Sequence, residues 1–459
     1  MRLPLILPLL LCSALLAGCT PSEPRAKPWR EELTIAVSLD QKSVDTEFRQ
    51  QLIDLFSGQL QVPVRLVPMP PGQMVAAIQS GRVHLAAEGF RSNAPLGGVL
   101  FTPVYQTVSE QVVCLTSPQR LSELAGKRIA VISGSAHEAA LRELQQTMPE
   151  LNWESRPQGT TDDLLNEVAA GTLECAAANG EQVAMAHNFH PQLGTALDIA
   201  KPSQLAWAFA PNGDPALYQA GKDFFEKIGK DGTLHRLMDR YYSNSERMEP
   251  VDSTAYLSAI YTVLPRYRSM FEEAAQLTGI EWQLLAALSY QESHWDPLAT
   301  SFTGVRGMMM LIGETADHMN VKDRLDPRES IIGGARFLLL LKDQLPARIP
   351  EEERIWMAIA AYNQGVGHLN DARMLAEKAG MNPNSWADVR KTMHWLERPE
   401  YASQTRYGYA RGGEAVALVE GVRLYYDMLK RIDMNKPPVE VTPTFQLHMP
   451  KKTKEELPP

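Results

Sequence analysis

The sequence predicts two domains of different fold class, an α/β domain followed by an all-α domain. Over residues 33–242, short apolar runs alternate with longer helical stretches, a pattern typical of α/β architecture with largely parallel sheets. From Ala255 to about Arg431 the apolar residues instead recur with a period near 3.6, which predicts helices throughout, with the second domain itself at residues 270–431. A chain of 459 residues with 44% apolar composition can bury a core in each domain.

The N-terminus has the composition of a targeting segment. Arg2 precedes an apolar run, Leu3–Leu16, that is too short to span a bilayer comfortably. We therefore expect a signal peptide over residues 1–18. The run ends in Leu-Ala-Gly-Cys at Cys19, which resembles the lipobox of bacterial lipoproteins.

That resemblance implies cleavage before Cys19, lipidation of its thiol and acylation of the new N-terminus. Several acyl chains anchor a protein firmly, whereas one chain binds only marginally. Thr20 stands where such lipoproteins carry the Asp that retains them in the inner membrane. We therefore expect a peripheral, lipid-anchored protein on the periplasmic face of the outer membrane. The alternative is an ordinary secretory peptide with an incidental cysteine.

Three segments are expected to lie outside the two domains. Residues 19–32 contain several prolines and are interpreted as a tether. Residues 243–269 are interpreted as a linker and entry helix, with a polar, loop-like stretch over 243–254. Residues 432–459 are rich in Pro and Lys and are expected to be a flexible tail.

Charge and cysteine usage restrict the partners and the compartment. The net charge of −9 argues against nucleic acid as the main partner, because phosphate binding requires a basic face. In an oxidising compartment, Cys114 and Cys175 can form a disulfide or remain two buried free thiols in strand-like runs. The sequence contains no Cys/His cluster with metal-ligand spacing.

The first domain is predicted to contain the following strands and helices. The strands are Leu33–Val37, Val64–Val67, Val83–Ala86, Val112–Leu115, Arg128–Ile132 and Leu205–Ala210. The helices include Thr46–Ser57, Gly72–Ser80, His137–Gln146 and Thr161–Ala170.

The order of these signals resembles the family 3 periplasmic solute-binding domains. The early strand, the Phe-Thr-Pro-Val-Tyr segment at 101–105 and the Gly134-Ser135 pair that opens a helix all carry the resemblance. In the run 171–176, Glu174-Cys175 stands at the family's Asp-Ala position. The resemblance implies a two-lobed, periplasmic-binding-protein-like domain with a ligand cleft, and a chain that returns to the first lobe near Leu205.

The ligand of this domain is not expected to be a free amino acid. Pro95 stands where the family places the Arg that clamps a ligand carboxylate, and Asn179 stands where it places an Asp for the α-ammonium group. Arg91 and Glu88 could substitute, although we expect them to form a solvated surface pair. The expected ligand is a cell-wall peptide or muropeptide, which is present where the second domain is expected to work.

Helix 281–294 carries the candidate catalytic acid. Leu285, Leu288 and Glu292 are spaced i, i+3, i+7 and share one face, so a carboxylate continues an apolar stripe. Burial of a carboxyl group raises its pKa, as a general acid requires. The alternative is that Glu292 rotates into solvent at a fraying helix end.

Three further groups follow Glu292 along the chain. They are Gly304 and Gly307 before three methionines at 308–310, an apolar helix Trp356–Asn363 capped by Gly365, and the tyrosines Tyr401, Tyr407 and Tyr409. Taken singly, the methionines can be core filler, Asn363 a helix C-cap and the tyrosines a surface belt.

Together these groups resemble the motifs of the family 1 lytic transglycosylases, which are related to goose-type lysozyme. The family's Glu-Ser matches Glu292-Ser293, and its Ala-Tyr-Asn matches residues 361–363 without change. Its Gly-Leu-Met-Gln matches residues 307–310 imperfectly, and its Tyr before a small residue is best matched by Tyr409. The triple methionine, preceded by a solute-binding domain and a lipobox, is similar to a membrane-bound subgroup of this family.

The resemblance implies an all-α, lysozyme-like domain that cleaves the MurNAc–GlcNAc β-1,4 bond of peptidoglycan without water and leaves a 1,6-anhydromuramyl end. Glu292 would act as acid and then as base, with no metal or organic cofactor. The implied substrate-binding residues are Ser293, Met308, Met310, Tyr362, Asn363 and Tyr409.

Two other functions remain open. A water-using muramidase would require a second carboxylate, for which Asp296 and Glu314 are the candidates. A tethered solute receptor would use the helical domain only as structure, and the intact Glu-Ser and Ala-Tyr-Asn motifs argue against it.

Overall fold

The structure is a computed structural model with full side chains. It describes residues 25–38, 43–93, 97–242, 250–301 and 304–432. The expected signal peptide, Cys19, Pro95 and all of the expected tail except Ile432 lie outside these ranges. Across the described ranges, every helix is too short or too polar to cross a membrane.

The first domain alternates strands and helices, as the sequence predicts. The strands are β1 (Leu33–Val37), β2 (Val64–Pro68), β3 (Leu85–Arg91), β4 (Leu100–Phe101), β5 (Gln106–Val108), β6 (Glu110–Cys114), β7 (Ile129–Ile132), β8 (Trp153–Arg156), β9 (Cys175–Asn179), β10 (Leu197–Asp198) and β11 (Ser203–Phe209). The helices are α1 (Val44–Leu60), α2 (Pro71–Gln79), α3 (Ala136–Gln145), α4 (Thr161–Ala169), α5 (Gly180–Phe189), α6 (Pro215–Lys230) and α7 (Thr233–Tyr242), with a 3-10 turn at Leu121–Leu124.

These strands form two sheets, one in each lobe. The first sheet has the order β2-β1-β3-β11-β4, with β5 also paired to β11, and the second has the order β10-β6-β9-β7-β8. The chain crosses from the first lobe to the second through Ser109, between β5 and β6. It returns through residues 199–202 into β11, which confirms the expected return near Leu205.

The sheets are mixed, which corrects the expectation of largely parallel pairing. Strand β1 pairs parallel to β2 and β3, and β7 pairs parallel to β8 and β9. Strands β6 and β11, however, pair antiparallel to their neighbours. These two strands enter their sheets directly from the other lobe, so they lack the helical crossover that a parallel connection needs.

A disulfide joins Cys114 and Cys175 in the second lobe. The two cysteines face each other directly in the antiparallel pair of β6 and β9. The question that the sequence left open between a disulfide and two free thiols is therefore answered in favour of the disulfide.

Part of the expected tether is fixed to the first lobe. The backbone N–H of Ala26 donates to the Gly81 carbonyl at 3.0 Å. The Trp29 indole N–H donates to the Asp214 carboxylate at 2.7 Å, and Arg30 pairs with the same carboxylate at 3.1 Å. Residues 26–32 therefore belong to the folded domain, and the tether prediction of 19–32 is too long.

The second domain is built from helices among its described residues, apart from two isolated β-bridges that Arg306 makes to Thr300 and Leu311. Its helices are α8 (Pro250–Thr262), α9 (Arg268–Thr278), α10 (Trp282–Ser293), α11 (Gly313–His318), α12 (Pro327–Gln344), α13 (Glu351–Lys378), α14 (Trp386–Met393), α15 (Pro399–Ala402) and α16 (Gly412–Arg431), with 3-10 turns at Leu264–Arg266 and His394–Glu397. Because α8 begins at Pro250, the expected loop over 243–254 is wrong for its last residues. The two-lobed α/β domain followed by a helical domain confirms the predicted fold class.

The helical domain packs against both lobes of the first domain. Helix α7 of the first lobe supplies Asp239, which pairs with Arg390 of α14, and Arg240, which pairs with Glu353 of α13. From the second lobe, Phe189 at the end of α5 packs against the core of the helical domain. A relative movement of the two lobes would therefore change contacts that the helical domain makes.

Candidate active site

Helix α10 holds Glu292 in its last turn. The apolar side chains Leu285 and Leu288 on the same face are fully buried and fix the rotation of the helix. The helix ends at Ser293, and His294 then adopts a left-handed conformation, with φ of 52°. Glu292 is half-buried, and burial raises its pKa to about 7. The alternative in which Glu292 rotates fully into solvent is therefore wrong.

Residues 307–311, called here the wall segment, are hydrogen-bonded to helix α10. The hydroxyl of Ser293 donates to the Met308 carbonyl at 2.9 Å. The segment starts at Gly307 with φ of +83°, where an added Cβ would lie 1.8 Å from the Arg324 carbonyl oxygen. Only glycine fits at that position, because the backbone conformation and the neighbouring carbonyl both exclude a side chain.

The three methionines of this segment do not all face the same way. Met308 and Met309 are fully buried in the core of the helical domain, whereas Met310 is half-buried. This corrects the expectation that the Met308 side chain lines a saccharide groove, because only its backbone carbonyl takes part in the site. Met310 has φ of 45°, which is unusual for a residue with a Cβ.

The Ala-Tyr-Asn motif lies on α13, next to the wall segment. The Tyr362 hydroxyl donates to the Met309 carbonyl at 2.7 Å. Burial and the negative charge of nearby Glu292 raise the pKa of the Tyr362 phenol well above its usual value. Asn363 is exposed, and the helix breaks at Gly365, where φ is 80°. The first three motifs therefore meet around the Met308 and Met309 peptide groups.

The Tyr409 segment joins this site through Gln364. The Gln364 amide donates to the Asn363 side-chain oxygen at 2.9 Å and to the Arg411 carbonyl at 3.1 Å. Tyr409 itself is 62% exposed, so its ring is available to a ligand. Gln364 thus connects the loop that carries Tyr409 to Asn363, the last residue of the Ala-Tyr-Asn motif.

The two candidate second carboxylates lie in different surroundings from Glu292. Asp296 is exposed and accepts the Leu298 backbone N–H at 2.9 Å. Glu314 is exposed in the first turn of α11. Within the described ranges, groups of three or more His, Cys, Asp or Glu side chains that could hold a metal ion are absent.

The first domain has its own candidate site, a cleft of about 120 Å³ between the lobes. Both lobes line it, including the N-terminal ends of α3 and α4 and the fully buried Trp207. Asp45 of the first lobe accepts the Gln182 amide of the second lobe at 3.0 Å and the Tyr242 hydroxyl at 2.7 Å. The lobes are therefore in direct contact beside the cleft.

Glu88 and Arg91 are not the solvated pair that the sequence suggests. Glu88 lines the cleft and pairs with Arg49 at 2.9 Å, and Arg49 is 9% exposed. Arg91 is 5% exposed and pairs across the lobes with Glu143 of α3 at 2.5 Å. Asn179 lines the cleft and caps α5 by accepting the Gln182 N–H at 2.8 Å.

Sequence reasoning missed several residues that support the helical site. Ser289 and Ser330 bond the wall segment, and Arg324 donates to the Leu311 and Gly304 carbonyls at 2.8 and 2.9 Å. Ser289 had one visible signal, since it is a polar residue inside the apolar run 284–290 and precedes Ser293 by one helical turn. Ser330 and Arg324 have no comparable signal, because their partners are distant in sequence.

The fold joins a two-lobed α/β domain to a helical domain whose candidate site contains one half-buried carboxyl group. Residues 269–384 match the Transglycosylase SLT domain, and residues 44–244 match the Bacterial extracellular solute-binding proteins, family 3. Among solved structures, the amino acid ABC transporter substrate-binding protein AbpA from Streptococcus pneumoniae covers 48% of this chain and 98% of its own length, at 21% identity and a TM-score of 0.40.

Curated relatives cover most of the chain. The membrane-bound lytic murein transglycosylase F of Methylobacillus flagellatus is 43% identical over 82% of this chain and 80% of its own length. The one of Nitrosospira multiformis is 41% identical over 92% of this chain and 91% of its own length. The one of Thiobacillus denitrificans is 43% identical over 80% of this chain and 79% of its own length. The chain belongs to the membrane-bound lytic murein transglycosylase F family. It is a membrane-associated lyase that acts on peptidoglycan.

The raised pKa of Glu292 predicts a pH dependence of cleavage. If Glu292 must be protonated in the free enzyme, kcat/KM should be constant below about pH 7 and fall roughly tenfold per pH unit above it. Initial rates on soluble glycan oligomers across pH 5–9 measure this. A profile that stays flat to pH 9 would contradict the role of a protonated Glu292.

The same shift predicts the stability of the variant Glu292→Gln. The pKa of Glu292 is about 7 in the folded state and 4.5 in the ordinary, solvent-exposed state, so the folded protein binds the proton more tightly than the unfolded protein does. The folded protein therefore loses stability as the pH rises from about 4.5 to about 7. Gln cannot ionise and avoids that loss. The Tm of the variant should exceed that of the wild type at pH 8, and the difference should shrink towards pH 5. An equal difference at both pH values would argue against the shift.

Proposed function

We propose that the helical domain cleaves the MurNAc–GlcNAc β-1,4 bond without water and leaves a 1,6-anhydromuramyl end, with Glu292 as both acid and base. The observation that supports this is one half-buried carboxyl group whose pKa is raised to about 7 by burial. With a pKa near neutral pH, a large fraction of the enzyme is protonated at this group, and the carboxylate left after donation is basic enough to accept a proton.

The reaction proceeds in two steps that use the same carboxyl group. Glu292 first protonates the glycosidic oxygen, the bond from that oxygen to C1 of MurNAc breaks, and GlcNAc leaves as an alcohol while the N-acetyl oxygen of MurNAc stabilises C1. The Glu292 carboxylate then removes the proton from the C6 hydroxyl of this MurNAc, and the C6 oxygen bonds to C1 and displaces the N-acetyl oxygen. Attack by a hydroxyl that is already held in place avoids much of the entropy cost of capturing a water molecule.

The neighbouring residues have distinct roles in this proposal. Asn363 and Tyr409 are exposed at the site and would position the N-acetyl group. Met310 and the ring of Tyr362 would line the saccharide groove, because a polarisable thioether and a flat ring suit pyranose faces. Ser293 acts through the wall segment, since its hydroxyl bonds the Met308 carbonyl.

A water-using muramidase has less support from the site. Ordinary glycosidases pair an acid with a second carboxylate that serves as base or nucleophile. Asp296 and Glu314 are exposed, and neither shares the apolar surroundings that shift the pKa of Glu292. The two mechanisms differ in their product, which is an anhydro sugar in one case and a reducing sugar in the other.

Substitution of Glu292 tests the mechanism. Glu292→Gln keeps the size and polarity of the side chain but cannot exchange a proton, so cleavage of purified sacculi should fall on the order of 10² to 10⁴-fold with the fold retained. Asp296→Asn and Glu314→Gln are the matched controls and should retain activity with anhydro ends in their products. Mass spectrometry of the product ends decides the outcome. Reducing ends, or normal digestion by Glu292→Gln, would refute the proposal.

We further propose that the chain is anchored in the outer membrane through lipid on Cys19, on the periplasmic face. The support is the Leu-Ala-Gly-Cys sequence that follows the apolar run and the Thr at residue 20. Residues 26–32 pack on the first lobe, so the anchor would hold that lobe close to the membrane. The span from residue 19 to residue 26 can extend no more than about 25 Å.

Removal of the thiol tests the anchor. Cys19→Ala should release the signal-cleaved protein from the membrane pellet, because the described helices provide no other span. Cys12→Ala, within the expected signal peptide, is the matched control and should stay anchored. Fractionation with N-terminal sequencing measures both. A signal-cleaved Cys19→Ala protein that remains in the pellet would count against the anchor.

We also propose that the cleft of the first domain binds a cell-wall peptide or muropeptide and couples this binding to cleavage. The cleft lies between lobes that both contact the helical domain. Binding shifts a neighbouring domain only through contacts that differ between two states. Here Asp45 accepts hydrogen bonds from Gln182 of the second lobe and from Tyr242 at the end of α7. A change in lobe closure would therefore change the contacts of α7, the helix that packs against the helical domain.

The coupling is tested on the soluble chain that starts after Cys19. Stem peptide should bind, as measured by calorimetry, and should change the rate of sacculus cleavage at saturation. Arg240→Gln weakens the contact of α7 with Glu353 and leaves the cleft intact, so it should bind the peptide with similar Kd but respond less. Peptide that binds without changing the rate would exclude regulation and leave docking on stem peptides as the function of the cleft. Lack of binding would refute both.

A further inference from the structure

Two hydroxyl groups from the helix that carries Glu292 donate to one backbone carbonyl. The Ser289 hydroxyl lies 2.9 Å from the Met308 carbonyl oxygen, and the Ser293 hydroxyl lies 2.9 Å from the same oxygen. Ser289 and Ser293 are one turn apart on helix α10, so they share a face, and Glu292 lies between them in sequence. Ser289 is fully buried and belongs to none of the motifs described above.

The two donors are not equivalent. Ser293 also lies 3.1 Å from the Ser289 carbonyl one turn back in its own helix, so its single proton is shared between two acceptors. Ser289 instead donates from the protein interior to the Met308 carbonyl. A buried carbonyl that loses its donor is unfavourable, so Ser289 secures the wall segment whenever Ser293 bonds its own helix.

The rest of the wall segment is fixed from the opposite side. The Met309 carbonyl accepts from Tyr362 at 2.7 Å, and the Met309 N–H donates to the Ser330 hydroxyl at 3.2 Å. The peptide group between Met308 and Met309 therefore bridges helix α10, which carries Glu292, and helix α12, and the next peptide group is bonded to helix α13. Loss of the bonds from α10 would free the segment to move away from the helix turn that carries Glu292.

We propose that Ser289 is a positioning residue for the transglycosylase reaction, which with Ser293 holds the wall segment against the helix turn that carries Glu292. It does not touch the substrate. It acts by keeping water away from the Glu292 carboxyl group and by limiting the directions that this group can take. The proposal rests on the proposed role of Glu292 as the acid and base.

The shared carbonyl predicts a synergy between two substitutions. Ser289→Ala and Ser293→Ala each leave one donor, so each should lower kcat about threefold or less. The double variant leaves the carbonyl without a donor and should lower kcat by about thirtyfold or more, with KM changed much less, because residues that share one partner are not additive. All are measured on the full soluble chain with soluble glycan oligomers as substrate.

Two further readouts separate positioning from general loss of stability. Thr392→Val removes a buried hydroxyl of α14 that donates to the Ala372 carbonyl of α13 at 2.8 Å, and it should leave kcat and the pH profile unchanged. In the double variant, water that reaches Glu292 should stabilise the carboxylate. The pH at which kcat/KM falls to half should therefore decrease relative to the wild type.

The outcomes are distinct. If the loss in the double variant is only the product of the two single losses, or if its pH profile is unchanged, the positioning role of Ser289 is wrong. If Thr392→Val loses as much activity as the double variant, the effect reflects stability and the proposal is also wrong. Activity of Glu292→Gln in the same assay would instead refute the proposed mechanism on which this role depends.

Discussion

The helical domain depends on keeping one carboxyl group in apolar surroundings while it remains in reach of a glycan. Burial of an ionisable group is costly, so the surrounding structure must be stable enough to hold it. Helix α10 meets this need with a fully buried apolar stripe below Glu292. On the other side, the wall segment has its backbone groups satisfied by side chains from α10, α12 and α13. The raised pKa of Glu292 follows from burial and not from a charged neighbour.

Local sequence patterns were sufficient where one element decides the outcome. Strand β1 has the predicted bounds, because its five residues, four of them apolar, are all buried in a strand that is paired on both sides. The helix that carries Glu292 was predicted to within a residue at each end, since its apolar run is long and His294 ends it. The break at Gly365 follows from a glycine at the end of an apolar helix. Each of these predictions depends on neighbours in sequence, and such patterns determine local structure well.

The errors have a common physical origin in distant partners. Met308 was expected in the groove, but its side chain fills the core while its carbonyl serves the site. Arg91 was expected in solvent, but Glu143 of the other lobe pairs with it. Residues 26–32 were expected to be free, but Asp214 binds Trp29 and Arg30 from 184 or more residues away. The disulfide of Cys114 and Cys175 likewise follows from the pairing of β6 with β9, which composition cannot reveal.

The contact between the domains makes the stability of the helical domain depend on the first domain. Glu353 is 7% exposed on α13, the helix that carries Asn363 ten residues later, and its carboxylate also accepts the Trp386 N–H of α14 at 2.8 Å. Its cationic partner, Arg240, belongs to the first lobe. Without that lobe, Glu353 would keep a buried negative charge after losing its partner, which is far less favourable than the intact pair. The first lobe therefore stabilises the helix on which part of the active site is built, and any change in the docking of α7 acts directly on that helix.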